Sequence, residues 1–551
     1  RRHCMDLAPE QKLHGFTVRT REELPEINGT AYVLDHDKSG AQLLYLRNGD
    51  NNKAFSIAFK TPPADDTGVF HILEHSVLCG SDKFPVKEPF VDLLKSSMQT
   101  FLNAMTFPDK TMYPVASTND QDLLNLADVY LDAVLHPAIY RKRAIFEQEG
   151  WHYELGGDTE AEAGDSLRRR RGRHGSRRRV CAPRAERRGV QRDEGRAVRS
   201  EFGAVRRAAG GAVPRHGLPL RVGGTPRAIP DLTYEQFLEE HRRHYRLDNS
   251  YLTLYGDLDL DGMLAFLDER YLSPVADEQA AATGIGSEGA PLGPHELREQ
   301  APVRALGVKR NMATAPENAC AGLGYVIGNA CERTRMTAVD ILIDAIAGSN
   351  EAPLKRALLD AGLAADATAF FADSLLQPFA VIQLRGLEEG GAERFRPVVE
   401  ETLRKLADGG LDRTLVEASL SRAEFVMRER EYGMPDGVAL AMSSLAGWLY
   451  DDDAATSYLK YEDDFAFLRK ALDEGYFERL IREVFLDSDH MAEVEIVPVD
   501  GDEDAYEEER LAAVEAAMTP EDYSRPTRGR AAPLAEEPDR PKLWPCCCAC
   551  R

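Results

Sequence analysis

Apolar and polar residues alternate with the period of β-strands in the first third of the chain and again near residue 250. Residues 53–60 place three large apolar side chains on one face, as expected of a strand with one buried face. Apolar runs at 31–34 and 42–46 flank the turn-forming residues 37–40, which predicts a β-hairpin. Residues 250–255 predict a further strand. These segments predict the strands of a first block that mixes sheet and helix.

Apolar residues at helical spacing lie between these strands. Asn119 can cap a helix whose apolar positions recur every three or four residues until Pro137. Thr233 and Gln236 form the capping-box pattern that opens another helix. Residues 276–300 are rich in Ala, Gly, Pro and Glu, which is the composition of a linker, and a second block of strands and helices follows. The pattern therefore predicts an α+β fold in two blocks.

The composition excludes several classes of protein. The chain has 551 residues, of which 43% are hydrophobic, so it can bury cores and wholesale disorder is excluded. The 68 basic and 92 acidic residues leave a net charge of −24, which argues against nucleic acid as a partner and favours cationic partners. No apolar run reaches the roughly 18–20 residues of a membrane span, and no signal-peptide pattern opens the chain. We therefore expect no membrane partner and predict a bacterial cytoplasm, with the mitochondrial matrix as the alternative.

The residues that carry chemistry are His71, Glu74 and His75. In the sequence His-Ile-Leu-Glu-His, two imidazoles at i and i+4 share one face of a helix and can reach one zinc ion. Glu74 lies on the same side, where it can take a proton from a zinc-bound water and pass it to a leaving amine. The order His-x-x-Glu-His is that of inverted zincins. The bare pattern also fits a solvated helix face without a metal.

The surroundings of this pattern narrow its interpretation. Residues 69–81 read Val-Phe-His-Ile-Leu-Glu-His-Ser-Val-Leu-Cys-Gly-Ser, and Phe-Leu-Asn-Ala-Met-Thr follows at 101–106. Thr-Met-Tyr-Pro at 111–114 and Glu-Gln-Glu-Gly-Trp at 147–151 complete the series. With these motifs, the chain resembles the insulinase/pitrilysin family of zinc metallopeptidases, and within it the presequence protease branch. The resemblance covers most of the chain and points to the amino-terminal half of such a protein.

The resemblance implies a zinc endopeptidase that acts on unfolded or short peptides, cationic ones among them. It makes His71 and His75 zinc ligands and Glu74 the general base, with one zinc ion per chain. Family members bind the peptide backbone along a strand at the substrate site. The resemblance assigns this role to four consecutive residues, Asn103, Ala104, Met105 and Thr106.

The third zinc ligand departs from the family pattern. The family takes it from a glutamate in a segment resembling Asn-Glu-Met-Lys-Gly-Ala, but at that place the chain reads Gln191–Arg196. A codon string for these residues, read one base later, encodes Asn-Glu-Met-Lys-Gly. We therefore predict that the arginine-rich residues 160–222 are translated out of frame, with a solvated or disordered basic loop as the alternative. In the shifted frame, the codon of the ligand glutamate is divided between Arg192 and Asp193. Glu194 lies next to it in the sequence and is the candidate third ligand. Glu149 is the other carboxylate within reach.

The implied fold class is α+β, with two tandem insulinase-like domains that form half of a clamshell. Each domain is expected to be a mainly antiparallel sheet packed with helices. The predicted segments are an amino-terminal extension (1–15), a catalytic domain (16–275), a linker (276–300), a non-catalytic domain (301–500) and an acidic tail that ends in disorder (501–551). Full-length members of the branch carry two further copies of the domain. A carboxyl-terminal half supplied in trans is therefore an expected partner.

The sequence of the second block predicts that only the first domain carries a metal site. Aligning Leu78–Ser81 with Ile346–Ser349 places Val339, Leu342 and Ile343 where the metal motif stands in the first block. Apolar residues at these positions predict a packed helix without a metal. Two functions stay open at this stage. The chain is either a zinc endopeptidase, impaired in this form, or a catalytically inactive family member that acts as a peptide-binding or structural subunit.

Overall fold

The computed structural model describes residues 6–86, 89–152, 222–225, 227–283, 297–373 and 375–499, together with 510, 512–513 and 516–517. The chain divides into two compact units, one of Arg1–Gly150 and Arg192–Asp500, the other of Trp151–Gln191 and Gly501–Arg551. Both β-sheets and the candidate site belong to the first unit. Of the second unit, the structure describes two residues at its start and short helical pieces between 510 and 517. Residues 160–221 of the predicted frame-shifted segment, Glu194 among them, lie outside the described residues.

The first sheet has nine described strands, in the order β1-β2-β3-β4-β9-β5-β8-β6, and β7 also pairs with β8. The strands are β1 Lys12–Leu13, β2 Phe16–Leu24, β3 Gly29–His36, β4 Gln42–Arg47, β5 Lys53–Lys60, β6 Gln99–Leu102, β7 Met105–Thr106, β8 Lys110–Ser117 and β9 Ser250–Tyr255. Its described neighbours are antiparallel except β4 and β9, which run parallel. The predicted hairpin is β3 with β4, so the predictions for this sheet are confirmed.

Seven described α-helices accompany the first sheet. They are α1 Val69–Val77, α2 Pro89–Ser96, α3 Asp120–Leu135, α4 Arg143–Glu149, α5 Tyr234–His244, α6 Leu260–Leu267 and α7 Ser273–Thr283. The Asn119 side chain accepts a hydrogen bond from the backbone N–H of Asp122, which confirms the predicted cap of α3. Thr233 and Gln236 form the predicted capping box of α5. Both helix starts are therefore set by local sequence.

The second sheet has five described strands, in the order β10-β14-β11-β13-β12. The strands are β10 Arg304–Ala313, β11 Cys320–Val326, β12 Ala364–Ala372, β13 Phe379–Leu387 and β14 Met491–Val499. The described helices in this part of the chain are α8 Arg333–Ala347, α9 Pro353–Asp360, α10 Gly391–Gly409, α11 Arg413–Glu429, α12 Asp436–Trp448, α13 Glu462–Ala471 and α14 Tyr476–Ile481. Only β10 and β14 run parallel in this sheet. Two mainly antiparallel sheets packed with helices confirm the predicted α+β fold class.

Helix α8 is the counterpart of α1 in the second block, and it is packed. Val339, Leu342 and Ile343 are buried in a core formed by the second sheet and its helices. Apolar side chains at these positions bury against their neighbours, as the hydrophobic effect favours. The prediction of a packed helix is therefore confirmed.

Strand β5 differs from its sequence pattern because both of its faces are buried. Phe55 and its neighbours on the predicted face are buried, but so are Ala54 and Ala58 on the other face. Helix α12 packs against this second face, in one core with small residues of the sheet. At Gly437, a β-carbon would stand 2.5 Å from a ring carbon of Tyr255 and 2.7 Å from the Ala54 side chain, so only glycine fits. The second half of the chain thus covers the first sheet.

Helix α7 extends into the stretch predicted to be a linker, 276–300. Its alanines are good helix formers, and they prolong the helix to Thr283. Strand β1, at Lys12–Leu13, likewise lies within the predicted amino-terminal extension and pairs with β2. None of the helices in the described ranges combines the length and apolar character that crossing a bilayer requires.

Candidate metal centre

Helix α1 carries the predicted metal ligands and begins at a crowded glycine. Gly68 has a positive φ of 69°, which glycine adopts without strain. A β-carbon at Gly68 would stand 2.6 Å from the backbone of Gly223 and Gly224. The start of α1 is therefore packed directly against the chain segment at 222–225. At Gly223 a β-carbon would stand 3.1 Å from Nδ1 of His71, so this segment also borders the first imidazole.

The structure brings His71, Glu74 and His75 together. One potential ligand atom of each lies within 4.8 Å of the others, and among the described residues they are the group of histidine, cysteine and acidic side chains that can hold a metal ion. The two imidazole rings are 5.0 Å apart at their centroids and inclined by 72°. This is the convergence expected of side chains at i and i+4 on one helix. The chemistry of the set, two imidazoles with a neighbouring carboxylate, fits zinc.

Glu74 is buried, with 8% of its surface exposed. Its Oε2 accepts a hydrogen bond of 2.9 Å from the hydroxyl of Thr106. Burial raises the pKa of Glu74, since desolvation disfavours the charged carboxylate, while His75 and the Thr106 hydrogen bond act in the opposite direction. A raised pKa makes the Glu74 carboxylate a stronger base than an exposed glutamate.

A second carboxylate lies behind the metal motif. Oε2 of Glu149, in the last turn of α4, is 3.7 Å from Nδ1 of His75. Burial disfavours the ionised form of Glu149, but interactions with His75 and Gln148 outweigh it, so the pKa of Glu149 is lowered. The Cys79 thiol lies 3.7 Å from the other oxygen of Glu149. Glu149 therefore faces His75 as an anion, in the position where metal-binding histidines commonly meet a carboxylate.

The predicted substrate segment lies beside this group. Asn103 is exposed, Ala104, Met105 and Thr106 are partly exposed, and β7 contains only Met105–Thr106. The backbone N–H of Asn103 donates to Pro114 over 3.4 Å, and the hydroxyl of Tyr130 donates to the Asn103 carbonyl over 3.2 Å. The segment is thus accessible from solvent and anchored from behind. Of the four predicted residues, Met105 and Thr106 lie in a strand, paired with Met112 and Thr111 of β8.

Two features of this site could not be predicted from the sequence: the hydrogen bond from Thr106 to Glu74, and the contact of Gly223 and Gly224 with α1. Thr106 was predicted to bind substrate, but its bond to Glu74 depends on how β7 packs against α1. Gly223 and Gly224, which border α1, stand next to the region predicted to be out of frame. A glycine pair is a signal of close backbone approach, but the sequence does not say which element approaches.

Known proteins resemble the chain in sequence. Residues 231–422 match the family described as the Peptidase M16 inactive domain. The chain is 38% identical, over 88% of its length, to Protein HypA of Clostridium perfringens. It is 35% identical, over 97% of its length, to Presequence protease 1, chloroplastic/mitochondrial, of Arabidopsis thaliana. It covers 47% and 48% of these two proteins, so the chain spans about half the length of the curated relatives it matches.

Solved structures share the fold. A protease from Helicobacter pylori has a TM-score of 0.56 at 16% identity, covering 84% of this chain and 98% of that one. Pitrilysin has a TM-score of 0.52 at 15% identity, covering 88% of this chain and 46% of that one. At these identities the likeness concerns the fold alone. The sequence relatives and the matched family description show that the chain belongs to the M16 family, the insulinase/pitrilysin family that its motifs predicted.

Proposed function

We propose that the chain is a zinc-dependent endopeptidase that hydrolyses unstructured peptides, with one zinc ion per chain. The observation that carries the proposal is the convergence of His71, Glu74 and His75 within 4.8 Å on one helix. His71 and His75 would hold the metal through their imidazoles. When bound, zinc polarises the scissile carbonyl and makes a water molecule a stronger acid.

Glu74 is the proposed general base of the reaction. Its carboxylate accepts a proton from the attacking water and delivers it to the leaving amine, so that the scissile C–N bond breaks as the amine is protonated. Thr106 donates to Oε2, which orients the carboxylate next to the two imidazoles. Burial keeps bulk water away and raises the pKa of Glu74 toward the range in which a base is effective.

Asn103, Ala104, Met105 and Thr106 are the proposed substrate-binding residues. Strand β6 ends the described sheet and β7 pairs with β8. An extended peptide can add to such an edge through backbone hydrogen bonds, which suits substrates without folded structure. The net charge of −24 favours cationic peptides.

Two parts of the proposal lie beyond the described residues. Glu194 is the proposed third zinc ligand, and the relatives' second half is a proposed partner in trans, since the chain spans about half their length. The relatives come from a bacterium and from organelles, so the bacterial cytoplasm and the mitochondrial matrix stay as predictions for the compartment.

A second candidate function is a catalytically inactive family member that binds peptides or supports a partner. Two observations favour it: the matched family description is that of an inactive domain, and the chain covers half of its relatives. The matched residues, 231–422, do not include α1, however. The description therefore concerns the part of the chain that lacks the metal motif, and we rank this function second.

Metal analysis tests the proposal. After mild dialysis, the chain should retain at most one zinc ion, held weakly, since the two histidines supply two of the three protein ligands and Glu194 stands beside the expected third ligand in the sequence. Replacing both ligands, His71→Ala with His75→Ala, should remove this zinc, whereas the control His14→Ala with His490→Ala should retain it. The loaded chain should cleave an unstructured cationic peptide. Stoichiometric zinc in the His71/His75 variant would rule out the proposed site, and zinc binding without cleavage would favour the inactive subunit.

A further inference from the structure

A tyrosine from the second half of the chain reaches the turn next to Thr106. The hydroxyl of Tyr450 donates to Oδ2 of Asp109 over 2.7 Å. Asp109 belongs to the turn that joins β7 to β8, and only 6% of its surface is exposed. Its other carboxylate oxygen accepts from Nζ of Lys110 over 3.3 Å. Burial and the neighbouring Asp109 raise the pKa of Tyr450 well above its ordinary value, so its hydroxyl stays protonated and donates.

The turn depends on Asp109 for its position. Strand β7 contains two residues, and its register with β8 consists of Met105 opposite Met112 and Thr106 opposite Thr111. The turn is closed by the N–H of Phe107, which donates to the Lys110 carbonyl over 2.8 Å. Beyond these bonds, the Asp109 carbonyl accepts from the N–H of Thr61 over 2.8 Å. Asp109 therefore ties the turn to the first sheet through its backbone and to Tyr450 through its side chain.

Tyr450 is itself held against the first sheet. It follows α12, whose last residue, Trp448, is fully buried and donates from its indole to Oε1 of Gln42 over 2.8 Å. Gln42 in turn donates to a carboxylate oxygen of Asp452 over 2.8 Å, and Arg19 donates to the Asp452 carbonyl over 2.9 Å. Bonds on both sides of Tyr450 thus fix its backbone, so its hydroxyl presents a rigid donor to the turn.

Apolar contacts run alongside this bond. Phe107 of the β7–β8 turn and Met112 of β8 line a small cleft together with Met442 and Leu445 of α12. The same helix that positions Tyr450 therefore also packs on both ends of the turn. A buried polar bond inside an apolar contact favours one geometry, since any shift leaves a buried group unpaired.

We propose that Tyr450 is a positioning residue through which the second half of the chain sets the site: it fixes the β7–β8 turn at Asp109, and the turn holds Thr106 against Glu74. The bond from Thr106 to Glu74 is the link to the metal motif. The catalytic consequence rests on the proposed function. The structural part does not, and it can be tested on the chain with or without zinc.

Hydrogen exchange of the full chain tests the structural part. Tyr450→Phe keeps the ring and removes only the hydroxyl, so the amides of residues 103–112 should exchange about 10-fold faster, as expected for losing one hydrogen bond to a buried carboxylate. Asp109→Ala, which removes the acceptor, should act similarly, and adding Tyr450→Phe to it should change the exchange little, because the bond is already lost. The control is Tyr458→Phe, which removes a hydroxyl that donates to the Ala330 carbonyl in the second half. Tyr458→Phe should leave the exchange rates of residues 103–112 unchanged.

Kinetics and metal content complete the test. The Tyr450→Phe variant should keep the zinc content of the parent, because α1 carries the ligands, and should show a kcat lowered about 10-fold, which Tyr458→Phe should not. Unchanged exchange at 103–112, or an equal increase in the Tyr458 control, would overturn the inference. If the Tyr450→Phe variant shows the expected faster exchange but the parent cleaves no peptide, the proposed function is contradicted. Hydrogen exchange alone then decides the inference.

Discussion

At the scale of single residues, the chemistry of the site depends on Glu74. Its neighbours on α1 are imidazoles, and Thr106 is a hydrogen-bond donor to its carboxylate. The replacement Glu74→Gln keeps the size of the side chain and its capacity to accept from Thr106, but it removes the basic carboxylate. Proton transfer by a positioned side chain is typically worth roughly 100- to 10,000-fold, so the turnover number should fall by about that factor.

Zinc content separates this role from that of a ligand. The Glu74→Gln variant should bind as much zinc as the parent and should still bind peptide, because residues 103–106 are unchanged. A variant that cleaves at the parental rate with full zinc would rule out Glu74 as the base. Loss of zinc from the same variant would mean that Glu74 is a ligand.

At the scale of elements, a histidine joins two helices of the first domain. His136 directly follows α3, with Nδ1 3.3 Å from Asp132 and Nε2 3.1 Å from Glu278 of α7. The hydrogen bond to Asp132 raises the pKa of His136 despite the opposing effect of burial, and Glu278 adds to the increase. The positive charge also lies at the carboxyl end of α3, where the helix dipole favours it.

This histidine predicts a pH dependence of stability. A raised pKa in the folded state means that the contribution of His136 is fully present below its unfolded pKa of about 6.5 and is lost as the pH rises through the folded value. His136→Asn should therefore lower the free energy of unfolding by about 1 kcal/mol at pH 5.5 and by less at pH 8.5. Urea unfolding at the two pH values measures the difference.

The control for this prediction is His241, which burial keeps neutral by lowering its pKa to about 3. Because the unfolded chain binds a proton at His241 below about pH 6.5 and the folded chain does not, His241→Asn should destabilise the chain less at pH 5.5 than at pH 8.5, the opposite trend to His136→Asn. An equal effect of His136→Asn at the two pH values would show that the fold does not raise the pKa of His136 and would contradict the prediction.

At the scale of the whole molecule, the chain covers about half of its relatives, and its predicted frame-shifted segment lies at the expected third ligand. Restoring the reading frame across 160–222 would replace Gln191–Arg196 by a segment containing Asn-Glu-Met-Lys-Gly. A third protein ligand completes a catalytic zinc site, so the repaired chain should retain zinc after a dialysis that strips the parent. With a carboxyl-terminal half supplied in trans to both, the repaired chain should also cleave the peptide faster than the parent. Equal zinc retention and equal activity with and without the repair would mean that the segment is genuine and the third ligand lies elsewhere.

The sequence predicted those features whose physical cause lies within a few neighbouring residues. The caps at Asn119 and Thr233 depend on hydrogen bonds within one helical turn, so a few residues decide them. The spacing of His71 and His75 places both rings on one face of any helix that contains them. The family motifs likewise lie in short runs of sequence, and the sequence relatives confirm the family they indicate.

Contacts between distant segments were decided only by the tertiary structure. The alternation in β5 predicts one buried face, yet α12, nearly 400 residues further on, buries the other. The bond from Tyr450 to Asp109 joins residues 341 positions apart, and the bond from Thr106 to Glu74 joins a strand to a helix. Periodicity and spacing report how a segment meets its own neighbours along the chain. Which segment covers a face or supplies a donor depends on the packing of the whole fold, because burial and hydrogen bonding act between any groups that the fold brings into contact.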